Sequence, residues 1–211
     1  MADLNRDIDV LVDGPQAAVS TIILAHGAGQ GMRSPFMEAL AKGLGEAGWR
    51  IVRFEFPYMR AWRESGARRP PDAMPVLIQT WRQVLADFGR DEPPVIGGKS
   101  LGGRIASQLA DEVGARGLVC LGYPFHPPQR PEETRLAHLR GLTTPTLIVQ
   151  GARDAFGTPQ ELAGYDLPAT ITLAWIADGD HSYRPSAGSL RTWSQNLAEA
   201  VSKVDEFIRA L

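Results

Sequence analysis

The sequence predicts a three-layer α/β fold: a mostly parallel central sheet with helices on both faces. Short β-rich runs alternate along the chain with longer runs whose apolar residues recur at helical spacing, the pattern of strands joined by crossover helices. Several β-rich runs, TIILA among them, are apolar at consecutive rather than alternate positions, which suits strands covered on both faces. With 211 residues, 44% of them apolar, the chain is long enough to bury roughly 70% of its unfolded surface as one domain over residues 1–211.

Taken in order, IDVLVDG (8–14) and VSTIILAH (19–26) read as strands. Phe36, Met37, Leu40 and Leu44 mark a helix at 3 to 4 residue spacing, and WRIVRFEF (49–56) is the next strand. Met74, Leu77, Ile78, Trp81, Leu85 and Phe88 mark a second helix before the strand PPVIGG (93–98). A third helix opens at Leu101 and continues through Ile105, Leu109 and Val113. The strands RGLVCLGYP (116–124), PTLIVQG (145–151) and TITLAWI (170–176) follow, and a last helix carries Leu190, Trp193, Leu197, Val201, Val204 and Ile208. Two stretches rich in proline and arginine, 57–73 and 124–141, break this rhythm. Each follows a strand, so both are expected to wall a binding crevice at the carboxyl ends of a parallel sheet, with 124–141 too short to build a large cap.

Charge and composition narrow the partners. Lys plus Arg number 22 against 24 Asp plus Glu, so the near-neutral chain carries no signature of nucleic-acid or membrane binding. The start MADLNRDIDV lacks the basic and apolar regions of a secretory leader, and no apolar run approaches a membrane span, so a soluble, cytoplasmic protein is expected. The single cysteine, Cys120, precludes an intrachain disulfide and reads as a small buried residue on a strand. His126 and His138 show no metal-ligand spacing, and neither a metal nor a cofactor is expected.

The chemistry turns on PPVIGGKSLGG. Gly98-Lys99-Ser100 would end a phosphate-binding loop only if a glycine stood five residues before Gly98; Pro93 stands there, and ahead of the strand instead of after it. Gly98-Lys99-Ser100-Leu101-Gly102 fits Gly-x-Ser-x-Gly in the context that pattern needs: a strand, a sharp turn with small residues two before and two after the serine, then a helix.

An acid and a histidine then follow in the order such a serine requires. Asp154 comes just after the strand PTLIVQG, and His181 after TITLAWI, so both fall at carboxyl ends of the sheet where they can converge on Ser100. In those roles Ser100 is the nucleophile, His181 the base that takes its proton, and Asp154 the group that orients the imidazole; Asp178 and Asp180 remain alternatives for the acid. The negative oxygen of a tetrahedral intermediate needs two backbone donors, assigned by position to Leu101 and to Ala28 in the loop His26-Gly27-Ala28-Gly29-Gln30-Gly31, with His26 shaping that loop. Tyr58, Met59, Trp62, Phe125, Phe156 and Tyr183 fall at or just after strand ends and are the candidate pocket lining.

The ordered set HGAG, GKSLGG, GARD and GDHS resembles the α/β-hydrolase family over nearly the whole chain, in particular its small, lid-poor serine hydrolases similar to dienelactone hydrolases. The resemblance implies hydrolysis of a small carboxylic ester or thioester through an acyl-enzyme, with a small-molecule substrate and a monomer or homodimer. Acyl transfer to another acceptor and a non-catalytic interaction module on the same scaffold are the alternatives. Two features depart from the family pattern. The dienelactone hydrolases that the chain resembles carry cysteine where Ser100 stands, and Lys99 before the serine either favours an acidic substrate or points away from the pocket. Arg60, Arg63, Arg68 and Arg69 are candidate attractors for a substrate carboxylate.

Overall fold

A computed structural model describes residues 8–18, 20–89 and 92–211. The expected absence of a leader at the N-terminus therefore rests on residues 1–7, outside the described residues, as does Val19, the first residue of the second predicted strand. The described residues form seven strands: β1 (Val10–Asp13), β2 (Thr21–Ala25), β3 (Arg50–Phe54), β4 (Val95–Lys99), β5 (Gly117–Leu121), β6 (Thr146–Gly151) and β7 (Ile171–Ile176). Their order across the sheet is β1-β3-β2-β4-β5-β6-β7, all pairs parallel except β1 with β3. Every predicted strand is present.

The consecutive apolar runs are explained by a core on each face. In β2, Ile22 and Leu24 pack with Phe36, Met37, Leu40 and Leu44 of helix α1 (Pro35–Glu46) and with Leu197, Ala200, Val204 and Ile208 of the C-terminal helix. Ile23 and Ala25 point the other way, toward Leu77, Trp81 and Val84 of helix α3 (Met74–Phe88) and Ile105 of helix α4 (Leu101–Ala106). A strand buried on both faces has no solvent side to carry polar residues.

Three departures from the sequence reading have local causes. Residues 57–65, read as an irregular pocket wall, form helix α2 (Pro57–Ser65), started by Pro57 and stopped by Gly66 at φ 69°. Those are the usual entry and exit residues of a helix, but the surrounding prolines and arginines mask them. Helix α4 ends at Ala106, where Leu109 and Val113 were expected to continue it; Ser107 Oγ donates to Arg104 O at 2.8 Å and the chain goes on as turns. The last helix, α6 (Trp193–Arg209), begins only after the reciprocal cap of Thr192 and Gln195, leaving Leu190 fully exposed outside it. A further short helix, α5 (Pro159–Leu162), lies between β6 and β7, and was not anticipated.

The stretch 124–141, the other expected pocket wall, is partly folded into the core. It is pinned to the body at both ends: Arg135 N donates to Phe125 O at 2.7 Å, Tyr123 Oη donates to Arg135 O at 3.0 Å, and Leu136 and Leu139 are buried in the core.

Candidate active site

The turn from β4 to α4 carries Ser100 at φ 51° and ψ −111°, a conformation that costs a non-glycine residue free energy and persists only when the surroundings impose it. The imposing surroundings are close. A Cβ at Gly98 would lie 2.2 Å from Ala25 O, and one at Gly102 would lie 2.4 Å from the same oxygen. Both positions abut the neighbouring strand, which is the physical content of the small residues two before and two after the serine.

Ser100, His181 and Asp154 come together from the ends of β4, β7 and β6. His181 Nε2 lies 2.9 Å from Ser100 Oγ, and His181 Nδ1 lies 2.8 Å from Asp154 Oδ2. A carboxylate only accepts, so Nδ1–H donates to Asp154 and the unprotonated Nε2 accepts the serine hydroxyl. Asp154 is fully buried and saturated by donors: Gln150 Nε2–H reaches Oδ2 at 2.9 Å and the Phe156 N–H reaches Oδ1 at 2.9 Å. The same Gln150 amide is itself anchored by Tyr123 O at 3.2 Å and Gly157 O at 3.3 Å. Burial, against the opposing pull of the Asp154 hydrogen bond, holds the His181 pKa below its ordinary value, so the imidazole is neutral around neutral pH. The Phe156 ring sits 4.3 Å from the imidazole, centroid to centroid, and covers one side of it.

The two alternative acids are engaged elsewhere. Asp178 pairs with Arg153 Nε at 2.7 Å and accepts from Ser186, and hydrogen bonds from Ser189 and Ser186 hold its carboxyl down to about 2. Asp180 Oδ1 takes the N–H groups of Ser182 and Arg184, closing the turn that presents His181.

The loop after β2 is braced from beneath. His26 Nε2 accepts from Phe56 N–H at 3.1 Å, which leaves Nδ1–H to donate to Gly27 O at 2.8 Å. Burial pushes the His26 pKa down to about 4, so this neutral bracing form is retained. Tyr58 Oη lies 3.2 Å from Gly27 O and 3.3 Å from Ala28 O and shares its proton between them. Ala28 lies in the tight turn closed by the Gly27–Gln30 bridge, and Leu101 is the first residue of α4, whose N–H has no acceptor within the helix.

The expected pocket lining divides. Phe156 borders the imidazole, and Trp62 is partly buried, with the Arg68 guanidinium 5.8 Å above its ring. Tyr58 and Met59 are buried under the β2 loop, where Met59 packs against Gly31. Phe125 and Tyr183 require correction as pocket walls: Phe125 is enclosed by Tyr123, Tyr165 and Gly157, and Tyr183 is buried against Phe36 with its hydroxyl donating to Val149 O at 2.8 Å. Tyr183 takes φ 62° and Asn196 Nδ2 donates to its carbonyl, so its backbone serves the turn after His181.

Of the four arginines, Arg60 is tied to Glu64 and Asp9, and Arg63 to Glu55 and Asp9. Arg68 and Arg69, with Pro70 and Pro71, instead border a cleft of about 460 Å³ whose other side is Ala28 and Gly29. Gln150 was not singled out from sequence; His26 braces the loop as expected of it, and of the two readings of Lys99 the structure has it pointing away from the cleft, toward Phe36. The signal for Gln150 was a polar residue at the next-to-last position of a largely apolar strand. Among the described residues no cluster of His, Cys, Asp and Glu could hold a metal, and no helix is long and apolar enough to cross a membrane.

A family model described as an alpha/beta hydrolase domain matches residues 18–209. Among solved structures, the chain is similar to an alpha-beta serine hydrolase homologue from Coxiella burnetii, with 19% identity, a TM-score of 0.70 and coverage of 97% of this chain and 91% of that one. A serine hydrolase without lid from Xanthomonas campestris gives 19% identity and a TM-score of 0.71 over 96% and 88% of the two chains. A dienelactone hydrolase from Anabaena variabilis gives 18% and 0.70 over 98% and 93%.

Proposed function

This chain belongs to the alpha/beta hydrolase domain family and is a hydrolase of that family; from that premise we propose that it cleaves small carboxylic esters or thioesters through an acyl-enzyme on Ser100. The observation that carries the reading is the continuous relay from Ser100 Oγ to His181 Nε2 at 2.9 Å and from His181 Nδ1 to Asp154 Oδ2 at 2.8 Å, set on a strained turn.

In acylation, Ser100 Oγ attacks the carbonyl carbon while His181 Nε2 takes the hydroxyl proton. The carbonyl π electrons move to oxygen, and that oxyanion is received by the N–H groups of Leu101 and Ala28, each such donor contributing about 3 kcal/mol to the transition state. The intermediate collapses, the bond to the alcohol or thiol breaks, and His181 gives its proton to the leaving group. Water then repeats the sequence on the acyl-serine with His181 as base, releasing the acid and restoring Ser100. Asp154 stays ionised throughout, holding the imidazole in the Nδ1–H tautomer and stabilising it when charged. The modest cleft beside Ala28 and Gly29 suits small, accessible substrates.

A fluorophosphonate probe tests this reading. Intact mass is expected to show one adduct on the parent protein and none on Ser100→Ala. Failure of the folded parent to react would overturn it.

A further inference from the structure

Lys99 is the last residue of β4 and the immediate neighbour of Ser100, yet its side chain does not enter the cleft. It leaves the strand on the face covered by α1, and the residue is 8% exposed. Its ammonium hangs 5.5 Å from the centroid of the Phe36 ring, and among the described residues no acceptor lies within hydrogen-bonding distance and no carboxylate within ion-pairing distance. A buried amine without a hydrogen bond is expensive to keep, far more so than the leucine or methionine that would fill the same space.

Its position relative to the relay is given by Gly122, on the loop after β5. A Cβ at Gly122 would lie 2.9 Å from Lys99 Nζ and 3.3 Å from His181 Nδ1. The amine and the imidazole therefore both approach the same point beside Gly122, which the His181 carbonyl oxygen also reaches at 2.9 Å. Lys99 stands on the inner side of the imidazole, Ser100 on the outer. A positive charge so placed opposes a second proton on the imidazole, while the Asp154 carboxylate, out of ion-pairing reach of Lys99, favours the charged form of each.

We propose that Lys99 is an electrostatic positioning residue for the reaction: its charge behind the His181–Asp154 pair resists protonation of His181 in the free enzyme and keeps the base available in mildly acidic solution. The inference rests on the triad reading above and adds a role for the residue next to the nucleophile. The charged and titratable groups bearing on the pair are Asp154 from the loop after β6, and Asp180 and Tyr183 from the loop after β7. Helix α1 presents the Phe36 ring, and burial keeps the Tyr183 phenol protonated. Burial pulls the Lys99 pKa down to about 7, while Asp154 and then Asp180 pull it up. For His181 burial is the largest cause of the lowered value, and the Lys99 charge acts in the same direction.

The test is the rate of fluorophosphonate labelling of Ser100, followed from pH 4.5 to 9 in the parent, in Lys99→Met and in Lys99→Gln. Removal of the charge is expected to move the acid limb upward by on the order of one pH unit while the alkaline plateau changes little. A merely structural role would lower the plateau or the melting temperature and leave the limb where it was. An unmoved or lowered limb in either folded variant overturns the proposal. Should neither variant fold, a nitrogen NMR titration of His181 in the parent decides: an imidazole pKa at or above 6.5 overturns it, and two interacting titrations, with the His181 shift responding to a second proton near pH 7, support it. A parent that does not label at all defeats the hydrolase reading itself, which separates the two failures.

Discussion

Replacing Asp154 by asparagine changes one oxygen to an amide and leaves the shape of the side chain intact, so its effect isolates hydrogen-bond polarity. Asp154 accepts three donors: Phe156 N–H on Oδ1, and Gln150 Nε2–H and His181 Nδ1–H on Oδ2. An asparagine has only one accepting oxygen. With that oxygen on Phe156 N–H, its NH₂ faces the Gln150 amide and forces His181 Nδ1 to accept, which places the imidazole proton on Nε2 against Ser100. With the oxygen turned toward His181, the NH₂ meets Phe156 N–H. Gln150 gives no escape, because turning its carbonyl to the asparagine would set that oxygen against Tyr123 O and Gly157 O.

Every arrangement leaves a buried donor unmatched, costing about 1–3 kcal/mol of stability. The first arrangement satisfies the backbone and inverts the tautomer, and that inversion in a serine triad lowers kcat by about 10⁴, or roughly 5.5 kcal/mol. Steady-state hydrolysis of p-nitrophenyl acetate, with urea unfolding of the same samples, measures both quantities. Asp154→Asn retaining activity within tenfold of the parent would refute the tautomer argument, and an unchanged unfolding free energy would refute the hydrogen-bond count.

Gly102→Ala brings a Cβ within 2.4 Å of Ala25 O and 2.8 Å of His26 O, so the elbow must shift; urea unfolding is expected to show a loss of about 3 kcal/mol or more, and a loss under 1 would refute the packing assigned to that turn. His26 binds its proton at about 4 when folded against an ordinary 6.5, so as pH falls the unfolded chain takes up a proton first and stability present above pH 6.5 is progressively lost down to about pH 4. That loss amounts to about 3 kcal/mol, and denaturant unfolding across this window should show it in the parent and much less of it in His26→Gln. Removing Arg68 and Arg69 together should lower kcat/KM for esters bearing a carboxylate by about twofold to fivefold relative to neutral esters, the range of an exposed ion pair; equal effects on both substrates would rule out charge recognition by that rim.

What the sequence disclosed follows from where its constraints are local. The central strands were legible because burial on both faces leaves runs such as IILA and LVCL with no polar positions. The elbow was legible because steric demand falls on Gly98 and Gly102, a fixed distance from Ser100. Helix α2 was not, because Pro57 and Gly66, its two boundary residues, also suit a loop, and only Tyr58 and Met59 are buried on it. The pocket lining was read poorly for a similar reason. A strand-end aromatic can turn outward or inward, and Phe125 and Tyr183 turn inward because 124–141 and the turn after His181 are folded against the body. Gln150 sits on strand β6, and besides Asp154 it is fixed by Tyr123 O, 27 residues away, which no spacing rule reveals.

The two halves of the site are held by different means. Ser100 is placed by its backbone, since the strained turn is wedged against Ala25, its N–H donates to Leu121 O at 3.0 Å and its carbonyl accepts from Arg104 N–H at 3.0 Å, none of which involves a titrating group. His181 is placed by charge and hydrogen bonds: it lies beyond β7, near the edge of the sheet, with its side chain 26% exposed, and is kept in line by Asp154, the Asp180 turn and the covering Phe156 ring. A carboxylate buried without other cations would raise the basicity of such an imidazole and favour its inactive, protonated form. Burial of the ring and the charge of Lys99 oppose that tendency from the inner side. The cost of burying an unpartnered lysine one residue from the nucleophile is thus borne where its field is most useful, on the member of the relay that packing alone holds least firmly.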